Sequence, residues 1–437
     1  MDSQEQQAAR PPHRASTRSE RLRATLRALG PGLVSGAADD DPSGIATYSQ
    51  AGARFGHGLL WTVLLTTPFM IAIQLAAARV GRVTGVGLAG NLRAHYPFPL
   101  VATLIVLLVV ANTINIAADV AAMGAALRLV IGGGEHGHAL LFGALISFLQ
   151  VWLPYYRLAI IFNWLCLALL AYVAVLFYVH VDWGSALLAL LLPGIGWTFE
   201  ALMMVVAVLG TTISPYLFFW QAGQEVEEMR RKKSLPLLAA PERAAGALLR
   251  IRVDTISGMV LSNVIALAIM LATAATLHMA GIRDIETTAQ AAEALRPLAG
   301  DRAFVLFAAG VIGTGLLAVP VLAGSAAYAV AEVFGWKSGL DKRYTEARPF
   351  YGILTGATLI GTALDFTPID PIKALYYSAV INGVIAVPIM AMLVLLASNA
   401  RALGPFAIRG ALRTLGWIGT VLMTAAVLLM LVAAARS

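Results

Sequence analysis

One cysteine, Cys166, occurs in 437 residues. Its solitude excludes an internal disulfide and a thiolate-bound metal cluster. Charge is scarce too: Asp, Glu, Lys and Arg make up 13% of the chain, against 59% hydrophobic residues. Soluble globular domains carry about 25% charge. The seven histidines (His13, His57, His95, His136, His138, His180 and His278) all fall in tails, loops or the ends of apolar runs. No imidazole is therefore expected at mid-membrane depth to serve a proton relay or a borderline-metal site. No Walker-type glycine-rich loop is present, which argues against ATP-driven work. No catalytic constellation appears, so neither an enzyme nor a bound cofactor is expected. The first 30 residues are polar and Arg-rich with no apolar core, so no signal peptide is read there.

What remains is apolar length. The mean hydropathy is +0.78, and runs long enough to span a bilayer account for almost the whole chain. About eleven spans are expected, at roughly 31–55, 58–80, 99–129, 138–155, 158–180, 195–228, 254–280, 302–333, 349–366, 371–398 and 411–434. The class is an all-α membrane protein, with the lipid bilayer as its surroundings. The formal net charge of +7 would suggest nucleic acid in a soluble chain, but here the basic residues fall between apolar runs. No nucleic-acid partner is expected.

Those basic residues orient the chain. With the N-terminus in the cytoplasm, most Lys and Arg fall on inside segments. Only Arg54, Arg128, Arg283, Arg296, Arg302, Lys373 and Arg436 fall outside. The positive-inside rule then puts the N-terminus in the cytoplasm and, for eleven spans, the C-terminus outside. Residues 1–28 read as a disordered basic cytoplasmic tail. The segment 229–253, with its run Arg230-Arg231-Lys232-Lys233, reads as the main cytoplasmic loop.

Two spans are broken in their middles. The first reads Gly36-Ala37-Ala38-Asp39-Asp40-Asp41-Pro42-Ser43-Gly44 and the second Gly210-Thr211-Thr212-Ile213-Ser214-Pro215. They stand at matching places in the two halves, which is the best sequence pointer to a transporter's central site. A carboxylate in lipid is costly, and its default reading is functional. Pro42 lacks an N–H and disfavours helix at Asp41. The carbonyls freed by the break need protein, water or an ion. Carboxylate plus carbonyl oxygens form a hard ligand set suited to Mg²⁺, Ca²⁺ or Mn²⁺. Asp41 is the expected ligand, with Asp39 and Asp40 lining the approach. The competing reading makes the Asp run a cytoplasmic cap on a helix that begins near Ser43. Thr211 and Ser214 are read either as site oxygens or as ordinary kink and packing residues.

Asn112, Asn115 and Asp119 share one face of the third span. They line an aqueous pathway or glue helices together, with the pathway favoured for Asp119. Asn163, Asn263 and Asn382 read as glue. Glu225, Glu227 and Glu228 close the inner end of the sixth span as a solvated face with a vestibule role.

These residues resemble the natural resistance-associated macrophage proteins, divalent-metal transporters with a LeuT-type inverted repeat. Gly30-Pro31-Gly32 through Asp41-Pro42-Ser43-Gly44-Ile45-Ala46-Thr47 is similar to the family's first helix, usually marked Asp-Pro-Gly-Asn. Gln74-Leu75-Ala76-Ala77-Ala78-Arg79-Val80-Gly81 with Val83-Thr84-Gly85 resembles the end of its second helix. Gly210 through Leu217 aligns with its sixth, usually Met-Pro-His-Asn.

The resemblance implies two five-helix repeats, 29–180 and 181–398, with broken helices 1 and 6, and an eleventh span in 399–437. It implies a monomer in the plasma membrane. It also implies a metal site at Asp41, Gly44, Thr211 and Ser214, with Tyr216 and the Asp and Asn residues above along the pathway. Three departures stand out: Gly44 replaces a ligand Asn, Ser214 a soft Met, and Tyr216 a His linked to proton movement. Losing the thioether removes discrimination against hard cations, and losing the Asn side chain enlarges the site. The pattern is similar to the magnesium-transporting branch of the family and implies Mg²⁺ and Mn²⁺ uptake without tight proton coupling. The alternatives are a proton-coupled Mn²⁺ or Fe²⁺ importer and, from another class, a sodium-coupled amino-acid carrier.

Overall fold

The computed structural model describes residues 31–153, 167–366 and 370–436. The basic tail 1–28, Asn163 and Cys166, and the first part (158–166) of the expected fifth span lie outside the described residues.

Every described element is a helix, and no strand occurs among the described residues. In chain order they are α1 (Pro31–Asp39), α2 (Pro42–Phe55), α3 (Leu60–Thr84), α4 (Leu88–His95), α5 (Phe98–Ile131) and α6 (Glu135–Trp152). There follow α7 (Leu170–Val175), α8 (Trp183–Ala189), α9 (Phe199–Thr212), α10 (Pro215–Arg231), α11 (Ala244–Thr273), α12 (Thr288–Glu293) and α13 (Arg296–Ala299). The last are α14 (Ala303–Val333), α15 (Arg348–Leu364), α16 (Pro371–Ala397), α17 (Ala400–Leu403) and α18 (Gly410–Ala434).

Among the described residues, seven helical stretches are long and apolar enough to cross a membrane. The other expected spans fall short for visible reasons. The first is cut at Asp40-Asp41 into helices of nine and fourteen residues. The fifth is described from Leu167 on, where it holds only the short helical pieces Leu167–Leu169 and Leu170–Val175. The fourth, α6, opens on Glu135-His136-Gly137-His138, and the ninth, α15, has 17 residues.

Both expected interruptions are present. Asp41 is extended (φ −67°, ψ 172°) and caps α2, with Pro42 as its first helical residue. This is where proline is favoured, because the first turn of a helix has no use for its missing N–H. In the second, α9 ends at Thr212, Ile213 leaves the helix (φ −116°, ψ 59°), and Pro215 starts α10 after an extended Ser214. The alternative of a helix capped at the membrane edge does not hold. Helix precedes Asp41 as well as following it, and Asp39, Asp40 and Asp41 are all buried.

Two boundaries differ from expectation. The segment 229–253 is not a long loop: α10 runs to Arg231 and α11 begins at Ala244. Glu225 and Glu228 do not form a solvated face. Both are buried against Arg250, at 2.5 Å and 2.7 Å. Glu227 accepts from the Tyr328 hydroxyl and the Leu340 amide. These acids bind the C-terminal ends of α10 and α14 to the start of α11, and the ion pairs stabilise the extra turns of α11.

The core around the interruptions packs on small residues. A Cβ on Gly36 would lie 2.4 Å from the Gly258 carbonyl oxygen, so α1 and α11 touch backbone to backbone. A Cβ on Gly210 would lie 2.2 Å from the Ala379 oxygen, so α9 and α16 do the same. Such crossings suit lipid, where helix association relies on close packing rather than on expelled water. At the periphery, α18 leaves Val421, Leu428, Leu429 and Leu431 exposed, as a lipid-facing helix does.

Gly210→Val forces α9 away from α16 and is expected to cost at least about 1–3 kcal/mol. The check is the unfolding temperature of detergent-solubilised protein, followed by size-exclusion chromatography. A temperature equal to wild type would show that the crossing is not tight.

Candidate metal site at the helix interruptions

The two interruptions meet. The Tyr216 hydroxyl, one residue into α10, donates to the Ala38 carbonyl at 2.9 Å, and it reaches the Asp41 Oδ2 at 3.3 Å. One phenol therefore satisfies a carbonyl freed by the first break and holds the carboxylate beside it. At the second break, the Ser214 hydroxyl lies 3.0 Å from the Gly210 carbonyl and 2.8 Å from that of Thr211. Each arrangement answers the same demand, since a buried carbonyl without a donor is expensive.

Asp41 is the hub. Its Oδ1 accepts from the Gly44 amide at 2.7 Å, and its Oδ2 accepts from Asn115 Nδ2 at 3.1 Å. Asn115 is itself held: its Oδ1 accepts from the Ser378 hydroxyl at 2.7 Å, which ties α5 to α16. The carboxylate orientation thus rests on three helices. Gly44 does not leave an open chamber where a side chain is missing. A Cβ there would come within 3.3 Å of the Asp39 carbonyl and the Thr211 hydroxyl, so those oxygens occupy the space.

The other carboxylates surround this hub without joining it. Asp39 Oδ2 and Asp40 Oδ1 both accept from the Ser262 hydroxyl on α11, at 2.7 Å and 3.1 Å. Asp119 is wholly buried within electrostatic reach of Asp41, and the backbone amide of Ser43 is the donor that faces its carboxylate. Among the described residues, no group of three His, Cys, Asp or Glu side chains converges tightly enough to hold a metal. Any cation beside Asp41 therefore completes its shell with carbonyl, hydroxyl or amide oxygens and water.

No Lys, Arg or His pairs with Asp39, Asp40, Asp41 or Asp119 among the described residues. Four buried carboxyl groups with no counter-charge cannot all stay ionised alone. The cluster is built to take up positive charge, as cations or as protons.

Of the sequence-derived candidates, Asp41, Gly44, Thr211, Asn115 and Tyr216 come together. Asp39, Asp40 and Asp119 flank them. Asn112 does not join: its amide donates to the Leu322 carbonyl at 2.9 Å and to the Ser325 hydroxyl at 2.7 Å, which makes it a link to α14. The Ser214 hydroxyl is engaged with its own helix end. Two residues escaped the sequence reading, Ser262 and Ser378. Serine is common in membrane helices, and nothing in its local pattern distinguishes these two.

A family model described as natural resistance-associated macrophage protein-like matches residues 32–433. A curated relative, the divalent metal cation transporter MntH of Klebsiella pneumoniae (strain 342), is 29% identical over 415 residues. The match covers 92% of this chain and 93% of the relative. A crystal structure of the Eremococcus coleocola manganese transporter superposes with a TM-score of 0.74 at 16% identity, covering 98% of this chain and 89% of the other. Mhp1, a nucleobase-cation-symport-1 family transporter, superposes at 0.59 and 13% identity over 93% of this chain and 92% of the other. At these identities the two structures establish the fold alone, the LeuT-type arrangement of broken helices.

Asn115→Ala is expected to weaken divalent-cation binding by about 10–100-fold, as loss of a ligand-orienting group does. Asp41→Ala is expected to abolish it. Titration calorimetry on detergent-purified protein reads both, and unchanged affinity in Asn115→Ala would show that its amide does not orient Asp41.

Proposed function

The chain belongs to the natural resistance-associated macrophage protein-like family, and we propose that it carries divalent metal cations across a membrane by alternating access, with Mg²⁺ as the favoured cargo and Mn²⁺ accepted. The observation that supports this most is the setting of Asp41. It is a buried carboxylate between two helix interruptions, with no sulfur ligand in residues 36–44 or 210–216. Mg²⁺ dehydrates reluctantly and is usually held by one or two carboxylates with several waters retained. One well-oriented carboxylate among hydroxyl, amide and carbonyl oxygens matches that preference.

In operation, Asp41 meets the ion while Gly44 N–H, Asn115 and Tyr216 fix the carboxylate. A cation displaces the weaker of these contacts, and Tyr216 keeps the Ala38 carbonyl satisfied during the exchange. Asp39 and Asp40 add negative potential on the α11 side, which raises the local cation concentration. The acidic cluster is closed to solvent in this conformation, and Glu225, Glu227, Glu228 and Arg250 seal the inner ends of the helices beneath it. Release toward that side requires these pairs to part. The proposal includes a monomer in the plasma membrane with the N-terminus cytoplasmic, supported by the distribution of Lys and Arg.

A second reading, a proton-coupled Mn²⁺ importer, is supported by Asp119. A buried carboxylate beside Asp41, with no cation and no side-chain donor on it, is able to hold a proton when the cation leaves. An amino-acid carrier on the same fold is disfavoured, because the Asp39-Asp40-Asp41 run would repel a substrate carboxylate.

Proteoliposomes separate these readings. Wild-type protein is expected to take up Mg²⁺ without acidification of the lumen, read by a trapped pH dye. Exclusion of millimolar Mg²⁺ together with passage of Mn²⁺ would overturn the magnesium reading. Lumen acidification matching the metal flux would establish the proton-coupled one. The double substitution Gly44→Asn with Ser214→Met is expected to move preference from Mg²⁺ toward Mn²⁺ and Cd²⁺, because a thioether favours softer ions.

A further inference from the structure

A second polar feature lies away from the Asp cluster, where the ends of α3 and α10 meet the start of α11. A cavity of about 300 Å³ opens there, lined by Arg82, Glu228, Lys232, Ser234, Arg243 and Arg250. Its charge does not balance. Arg250 pairs with Glu225 and Glu228, and Lys232 pairs with Glu228. Of the side chains that line it, four are cationic and one, Glu228, is a carboxylate, while Glu225, Glu242 and Asp254 stand nearby outside the lining.

Arg82 is the informative one. It is only 8% exposed, the Glu–Arg pairs do not include it, and its buried Nε has no hydrogen-bond partner. Its Nη1 donates to the Ser234 hydroxyl at 3.0 Å. A guanidinium this buried ordinarily finds a carboxylate or a phosphate. Glu225 and Glu228 lie within electrostatic reach of it, yet both are paired with Arg250, and α3 runs on to Gly85 with its backbone already capped. Arg243 lines the opposite wall at the start of α11, paired only with the exposed Glu242 at 3.9 Å. The cavity therefore offers two guanidinium forks, an ammonium and a hydroxyl around a space sized for a small ligand.

We infer that this cavity binds a phosphate-bearing anion, either the headgroup of an anionic phospholipid or a free phosphate compound. Guanidinium forks match phosphate oxygens two at a time. Basic pockets between membrane helices are known to receive such headgroups. The surface next to the cavity suits the lipid source: on α11, Leu249 and Val253 flank Arg250 and are 62% and 46% exposed. A bound phosphate would add a bridge between Arg82 on α3 and Arg243 at the start of α11, two helices that already pack together. Occupancy would add to the ties that hold the inner ends of the helices together.

The test uses the full-length protein and does not depend on transport. Protein purified in a non-ionic detergent is titrated with inorganic phosphate by calorimetry. In parallel, it is reconstituted in phosphatidylcholine with or without phosphatidylglycerol, re-extracted, and examined for retained lipid by native mass spectrometry. Phosphate binding supports the inference with a free anion as source, and retained phosphatidylglycerol supports it with a lipid as source. Arg82→Gln and Arg243→Gln are each expected to weaken the signal about tenfold or more, as loss of a charge-assisted hydrogen bond does. Arg243 is largely exposed, so its variant folds even if that of Arg82 does not. Arg231→Gln and Lys233→Gln, exposed neighbours outside the cavity, are expected to change nothing. Absence of both ligands from wild type, or equal losses from all four variants, would overturn the inference.

Discussion

A helix that stops inside a membrane leaves carbonyls and amides with no water to bind, and the rest of this structure is arranged around that debt. At the first break, Asp41 takes the Gly44 amide and Tyr216 takes the Ala38 carbonyl. At the second, Ser214 turns back onto Gly210 and Thr211. Because Tyr216 belongs to the second break and serves the first, the first break depends on the second. Two irregular segments, each costly alone, become one polar centre.

That centre is precise because its surroundings are not free to adjust. Backbone contacts at Gly36–Gly258 and Gly210–Gly383 fix how α1 and α9 approach α11 and α16. Asn115 and Ser378 carry the orientation of Asp41 outward to α5 and α16. Where α10 ends and α11 begins, the two are joined by Arg250 between two glutamates. These last ties are polar, and Arg250, their shared cation, borders the cavity beside α11. The glycine crossings are backbone contacts. The proposed alternating access would therefore part these polar ties before the glycine crossings.

Much of this was legible in the residues. Proline and acidic residues inside apolar runs announced both interruptions, because few residues in a membrane span have so plain a structural consequence. Asp41 was identifiable because Pro42 places it at the break. The similarity of Gln74 through Gly85 and of Gly210 through Leu217 to known helices pointed to the family. What escaped was the assignment of partners. Asn112 and Asn115 lie on one helix face, yet one bonds α14 and the other Asp41, a choice set by which helix sits opposite. Glycine at 44 suggested a wider site, but close approach of the Asp39 carbonyl and Thr211 uses the space. Glu225, Glu227 and Glu228 looked solvated because their partners Arg250, Tyr328 and Leu340 are remote in sequence. Pairing across the fold is a three-dimensional fact with no local signature.

The central claim is that a divalent cation rests against Asp41 where the two interruptions meet. The most direct measurement is an anomalous difference map from crystals of the protein equilibrated with Mn²⁺, collected at the manganese edge. The expected result is one strong peak in the first coordination sphere of the Asp41 carboxylate, on the side facing Thr211, that fades as Mg²⁺ is added in competition. A peak centred on Asp39, Asp40 and Ser262 instead, or no peak near Asp41 at saturating Mn²⁺, would contradict it.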